Sequence, residues 1–230
     1  MLRQSVIALG VVTLAVLPSG AQRAQDRSET LAIKTLFAFD SGGVSGVNVS
    51  PDGKWVIFSQ AGEWPTSSVW MVAMTNPKPI RVTSDGYTDS YPMLSPTGDP
   101  VFLLSNRTNR DQRSNARYAM SIPIDRATGS PKGPVQQVTT DSVDFLAPGG
   151  ISPDGKWLAY TIRGTPPVLR LVPTAGGNAR TLASKFQYRP NLTFSADGQN
   201  VVFMDSAASM LRIVSVAGGA VTTLYRAAKG

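Results

Sequence analysis

A tetrad of the form Ser-Pro-Asp-Gly returns four times along the chain, and this repeat restricts the fold more than any other feature. It stands as Ser50-Pro51-Asp52-Gly53, Ser95-Pro96-Thr97-Gly98, Ser152-Pro153-Asp154-Gly155 and Ser195-Ala196-Asp197-Gly198. The closing glycines lie 45, 57 and 43 residues apart. Self-similarity at a near-constant period is the mark of an array that stacks one supersecondary unit on the next. Each tetrad has the chemistry of a tight turn. Pro51, Pro96 and Pro153 preset φ at the second position, Asp52, Asp154 and Asp197 offer an acceptor to nearby backbone, and Gly53, Gly98, Gly155 and Gly198 tolerate the last position. These aspartates are accordingly read as turn formers, not as catalytic acids.

Short apolar runs flank every turn. Before it come Val47-Asn48-Val49, Tyr91-Pro92-Met93-Leu94, a weak run at Gly150-Ile151, and Leu192-Thr193-Phe194. After it come Trp55-Val56-Ile57-Phe58, Val101-Phe102-Leu103-Leu104, Trp157-Leu158-Ala159-Tyr160 and Val201-Val202-Phe203-Met204. Residues apolar at successive positions belong to strands buried on both faces, as when sheets stack face to face. A third run follows in each unit (Val69 to Val72, Tyr118 to Ile122, Val168 to Val172, Leu211 to Val214), then a more polar fourth (Ile80 to Thr83, Val135 to Thr139, Ala179 to Leu182, Val221 to Leu224). Polar outer strands suit an exposed edge that must resist further pairing. The fold class expected is all-β: a β-propeller of about four recognisable four-stranded antiparallel blades, spanning about 47–83, 91–139, 149–182 and 191–224. Trp55 and Trp157 follow the turn at matching positions and read as blade packing.

The run Ser-Pro-Asp-Gly-Lys-Trp followed by three apolar residues, at Ser50 to Phe58 and Ser152 to Tyr160, resembles the WD-like repeat of TolB-type propellers. Blade endings Arg81-Val82-Thr83 and Gln137-Val138-Thr139 resemble the terminal Leu-Thr of that family. The resemblance covers residues 47–224. It implies a periplasmic protein that works by binding other proteins. Similar repeats also form the N-terminal propeller of prolyl-oligopeptidase-type serine peptidases. TolB-type propellers normally carry six blades, so the readings are a compact four-bladed ring, an open array that pairs with another copy, or a fragment of a longer protein, an incomplete six-bladed propeller. Residues 22–46 form an N-terminal segment in which Leu31 to Phe39 read as one further strand, completing the last blade's sheet or standing for a degenerate blade.

Residues 1–21 read as an export signal, not as fold. Arg3 supplies a basic start, the 13 residues from Ser5 to Leu17 are almost wholly apolar, and Ser19-Gly20-Ala21 offers small residues for cleavage. An uncleaved anchor is the rival reading, yet a helical span takes about 20 apolar residues. Cleavage leaves 209 residues, enough to bury a core without disulfides, and the chain has no Cys. Arg3 is the only charge lost, so the net charge falls from +7 to +6. This excess is too diffuse to imply nucleic acid. A periplasmic or secreted location is expected, with no transmembrane segment after cleavage.

Chemistry is narrowed by what is missing. With no His and no Cys, a Ser-His-Asp triad, a thiol nucleophile and the usual zinc sites are all excluded within these residues. Gly43-Val44-Ser45-Gly46-Val47 lacks the last Gly of a nucleophile elbow. Asp141 and Asp144 could hold a cation or a proton, but short acidic loops are more often turn chemistry. No catalytic residue, cofactor or metal ligand is expected.

Binding is easier to locate. In an up-and-down blade, loops between second and third strands share an end with the connectors between blades. Residues 106–117 form such a loop and carry Arg107, Arg110, Arg113 and Arg117 against a single Asp111. Trp64, Tyr87, Phe145, Tyr188 and Arg189 fall at the same expected end. Arginine mixed with aromatic side chains is the composition of protein interfaces; the plain alternative is a solvated insertion. The reading is an exported, non-enzymatic, TolB-like binding module with an envelope protein as partner and a homodimer as an option. The alternatives are the detached propeller of a prolyl-oligopeptidase-type peptidase and a carbohydrate-binding or lyase propeller.

Overall fold

Each tetrad closes a hairpin in the same way. In the computed structural model the Ser50 hydroxyl donates to Asp52 Oδ1 at 2.6 Å and accepts the Trp55 N–H at 2.9 Å. Asp52 Oδ1 also accepts the Lys54 N–H at 3.1 Å, and Gly53 turns the chain at φ 68°. Ser152, Asp154, Lys156 and Trp157 repeat this set at 2.6, 3.1 and 2.9 Å. Ser195, Asp197, Gln199 and Asn200 repeat it at 2.5, 2.9 and 3.0 Å. The second copy is different for a chemical reason. Pro100 stands where Trp55 stands and has no N–H to give, so the bond from the fifth residue on is lost, while Ser95 Oγ keeps its contact to the third turn residue, Thr97 Oγ1, at 2.9 Å.

The structure describes residues 35–38, 42–63, 65–84, 86–108, 116–143, 150–162, 164, 166–184, 186, 188–205 and 209–227, the side chains of 188–190 excepted. Among these there is no helix, and none long and apolar enough to cross a membrane. The first blade is β1 (Val44–Val49), β2 (Trp55–Ala61), β3 (Ser67–Ala73) and β4 (Pro79–Arg81), hydrogen-bonded in that order. The second is β5 (Asp89–Leu94), β6 (Val101–Ser105), β7 (Tyr118–Ile122) and β8 (Gln136–Gln137). In the third, β9 (Trp157–Ile162), β10 (Val168–Pro173) and β11 (Arg180–Ser184) form the sheet, and the weak inner run is a single bridge, Ile151 to Leu158. The fourth is β12 (Tyr188–Phe194), β13 (Asn200–Asp205), β14 (Met210–Ser215) and β15 (Thr222–Arg226). All pairing within blades is antiparallel. The blades are arranged as a β-propeller.

Side chains alternate between a face turned to the next blade, here the leading face, and one turned to the preceding blade, the trailing face. Ile57, Val69, Met71 and Val82 of the first blade interdigitate with Val101, Leu103, Met120 and Ile122 of the second. Phe102, Leu104, Ala119 and Val138 of the second meet Leu158, Tyr160 and Val172 of the third. Ala159, Leu169, Leu171 and Leu182 of the third meet Phe194, Val201, Phe203 and Val214 of the fourth. Each fully buried Val, Leu, Ile or Phe contributes about 1.5–3 kcal/mol of transfer free energy. These three layers are therefore the core, and they explain why the second strands are apolar at every position. The Trp55 and Trp157 rings pack, half-buried, on the first and third of them.

The outer strands end earlier than their composition suggests in two blades. The Thr83 hydroxyl accepts the Val69 N–H at 2.9 Å, and the Thr139 hydroxyl accepts the Ala119 N–H at 3.0 Å. A side chain thus replaces the next rung of the ladder, and β4 and β8 stop. Ala183 and Tyr225 occupy this place in the third and fourth blades, where β11 and β15 continue, pairing Leu169 with Ala183 and Leu211 with Tyr225.

The export signal expected at residues 1–21 lies outside the described residues. So does most of the further strand expected over Leu31 to Phe39. Its described part lies with the first blade: Leu36 packs against Val56, Phe58 and Val72 on that blade's trailing face.

Candidate functional site

The loop that leaves β6 and the connector from β4 to β5 meet at one end of the propeller. Asn106 Oδ1 accepts the Thr88 N–H at 2.9 Å, and Thr88 Oγ1 donates to the Pro65 carbonyl at 2.8 Å in the corresponding loop of the first blade. The next connector returns to the same end, where the Val143 N–H donates to the Arg117 carbonyl at 2.7 Å. Antiparallel up-and-down order requires this convergence, because β6 and the connectors end on the same side.

Arg107 organises the cluster. Its Nη2 meets Asp89 Oδ2 at 2.5 Å, with the Asp89 side chain fully buried and that of Arg107 14% exposed. The guanidinium lies 4.3 Å from the centroid of the Tyr87 ring and donates through Nη1 to Ser84 Oγ at 3.4 Å. Carboxylate, guanidinium and phenol thus stack from interior to surface, and Tyr87 is the exposed end at 37%. Arg117 sits beside the start of β5, over the Tyr91 ring at 5.7 Å and donating to Ser90 Oγ at 3.2 Å.

Of the residues singled out in the sequence, the structure brings Tyr87, Arg107 and Arg117 to this end. Arg107 and Arg117 make contacts within the chain, so the arginines hold the face as well as line it. Trp64, Arg110, Arg113 and Phe145 lie outside the described residues. Tyr188 and Arg189 begin β12, and nothing is described of their side chains.

Other acid–arginine pairs occur in the next two blades. Asp141, in the connector to the third blade, accepts the Tyr160 hydroxyl at 2.7 Å and pairs with Arg170 at 3.3 Å. Burial, and then the bond to Asp141, raise the Tyr160 phenol above its ordinary range. Asp205 pairs with Arg212 at 3.3 Å across β13 and β14. Asp141 is therefore a tie between a connector and a blade, a role its short acidic loop does not announce. Asp89 and Asp205 carry no sequence signal that separates them from turn aspartates. Among the described residues, no group of three His, Cys, Asp or Glu is placed to hold a metal.

No family model matches the chain. The uncharacterized protein Atu1656 of Agrobacterium fabrum is 32% identical over 75 residues, which is 32% of this chain and 25% of that protein. The chain thus matches about a quarter of that relative's length. A structure assigned as TolB from Agrobacterium tumefaciens superposes with a TM-score of 0.65 at 19% identity, over 86% of this chain and 67% of that one. TolB from Acinetobacter baumannii gives 0.59 at 19% identity, over 84% and 48%. A puromycin hydrolase, an S511A mutant complexed with PGG, gives 0.61 at 16% identity, over 85% and 31%. At these identities the likeness concerns the fold. The chain folds as a TolB-like β-propeller.

Proposed function

We propose that this chain is an exported binding module of the cell envelope that takes a protein partner at the loop face around Tyr87 and catalyses no reaction. The observation that carries the reading is the stack of Asp89, Arg107 and Tyr87. An aromatic ring held at the surface by a buried ion pair has little rotamer freedom to lose on binding, which is what makes such a residue an anchor. The lack of His and Cys supports binding over catalysis, and the likeness to two TolB structures agrees with it.

The test is capture of cross-linked envelope proteins on the immobilised chain, quantified against a Tyr87→Ala variant. Loss of a central anchor is worth about 2 kcal/mol or more, so recovery of a specific partner drops by at least about tenfold. Equal recovery on both would remove Tyr87 from the interface.

The likeness to a puromycin hydrolase favours a second reading, a propeller that gates peptides for a separate catalytic domain. Co-purification with a serine hydrolase encoded beside this chain would select that reading over the first.

A further inference from the structure

The chain has no Cys, so the redox chemistry of its sulfur rests on methionine. Met71, Met93 and Met120 are 0, 2 and 1% exposed and lie within the layers between blades. Met74 packs on apolar neighbours of the first blade. Met204 is 39% exposed, and its sulfur meets one donor, the Asn191 amide at 3.9 Å. Met210 is unlike any of these. It opens β14, at the loop end of the fourth blade, and is 8% exposed. Three donors converge on its Sδ: Arg212 Nη2 at 3.8 Å, Arg226 Nη2 at 3.8 Å and Thr223 Oγ1 at 3.6 Å. Strand pairing assembles them, since Met210 stands opposite Arg226 and Arg212 opposite Thr223.

A thioether is a weak acceptor, whereas a guanidinium bonds best to a strongly polar or charged oxygen. The side chains of Thr223 and Arg226 reach no other acceptor among the described residues. Arg212 Nε lies 3.3 Å from Asp205 Oδ2, yet it is buried without a hydrogen bond. The site thus holds more donors than acceptors, and one oxygen atom on the sulfur would correct that. The spacing suits it. An oxygen about 1.5 Å from sulfur, bonded at about 2.8 Å with about 120° between, puts its donor about 3.8 Å from the sulfur. Oxygen can therefore be added with the three donors hardly moved. Thr223 and Arg226 are exposed, so surface side chains, not a packed layer, cover the sulfur from a small oxidant.

We propose that Met210 is a site of oxidation by peroxide, and that Arg212, Thr223 and Arg226 hold the resulting sulfoxide within the intact fold. A lone pair of the sulfur attacks one peroxide oxygen, and the O–O bond breaks. The departing hydroxide takes the proton left on the new S–OH group, so the products are sulfoxide and water. Oxidation of a buried methionine ordinarily disrupts packing, because it sets a polar oxygen among apolar neighbours. Here the neighbours of the sulfur are donors that lack a strong acceptor, and the oxygen supplies one. The inference is independent of the partner proposed at Tyr87.

The test treats the full chain with hydrogen peroxide and locates the added oxygen by peptide mass spectrometry. The expected result is one oxygen on Met210, as on exposed Met204, with Met71, Met93 and Met120 unchanged. Chemical unfolding of treated and untreated chains then reads whether the oxide is held. Treatment should alter the unfolding constant of the wild-type chain no more than that of Met210→Leu, which undergoes every other oxidation. A Thr223→Val, Arg226→Leu double variant removes two of the three donors at exposed positions, and its untreated midpoint checks that it folds. A buried oxygen left short of donors is costly, so treatment should raise the unfolding constant of this variant about tenfold more than that of wild type. Three results would each overturn the inference: Met210 unmodified once Met204 is fully oxidised, wild type destabilised by treatment more than Met210→Leu, or the donor variant responding as wild type does.

Discussion

At the scale of single residues, the turn serine does two things at once. Its hydroxyl donates to the aspartate and accepts the backbone N–H that starts the second strand, so one side chain aligns turn and strand. The serine hydroxyl, and then the backbone N–H of Lys54, Lys156 or Gln199, hold the carboxyls of Asp52, Asp154 and Asp197 below their ordinary value of 3.8. A carboxyl whose folded pKa is depressed stabilises the fold fully above its unfolded pKa and loses that contribution as pH falls through the folded value. Comparing the wild-type chain with the Asp52→Asn, Asp154→Asn, Asp197→Asn triple variant should show wild type melting higher at neutral pH. The gap should narrow as pH drops below about 3.8, the ordinary value, and a gap independent of pH would refute this account. These turns were legible from four residues of sequence because all their partners lie within five positions. The Asp89–Arg107 pair was not, since its carboxylate and guanidinium are brought together by strand pairing over 18 positions.

At the scale of the blade, strand length is decided where a hydroxyl is available to end the ladder. Thr139→Val keeps the shape of the side chain and removes the acceptor for the buried Ala119 N–H. An orphaned buried donor costs about 1–3 kcal/mol, so the midpoint of chemical unfolding should fall by that amount, and an unchanged midpoint would show that water or another oxygen substitutes. The expectation that the fourth strands run to Thr83 and Thr139 failed by two residues each, because threonine's β-propensity and its capacity to stop a strand look alike in sequence. The third blade was read correctly as weakest on its inner side: Gly150-Ile151 supplies one bridge where the other blades supply a strand.

At the scale of the whole molecule, one repeat position has opposite consequences in different blades. Leu104 and Met204 both stand six residues after the turn glycine, at 0 and 39% exposure. Leu104→Ala should cost about 2–5 kcal/mol in unfolding measurements, as for a fully buried leucine. Met204→Ala should change stability by no more than about 0.5 kcal/mol, as at an exposed site. Equal losses at the two positions would mean that the fourth blade's leading face is covered within the single chain. Sequence alone determined the repeat, the turn chemistry, the strand order and the double-sided burial of the second strands, because each depends on neighbours close along the chain or on a pattern every blade shares. Only the tertiary structure decided which aspartates pair with arginines, that Leu36 lies on the first blade, and that Val49 and Leu224 stand open. Whether an apolar face is buried depends on what stands beside it in space, and identical patterning at Leu104 and Met204 carries no record of that.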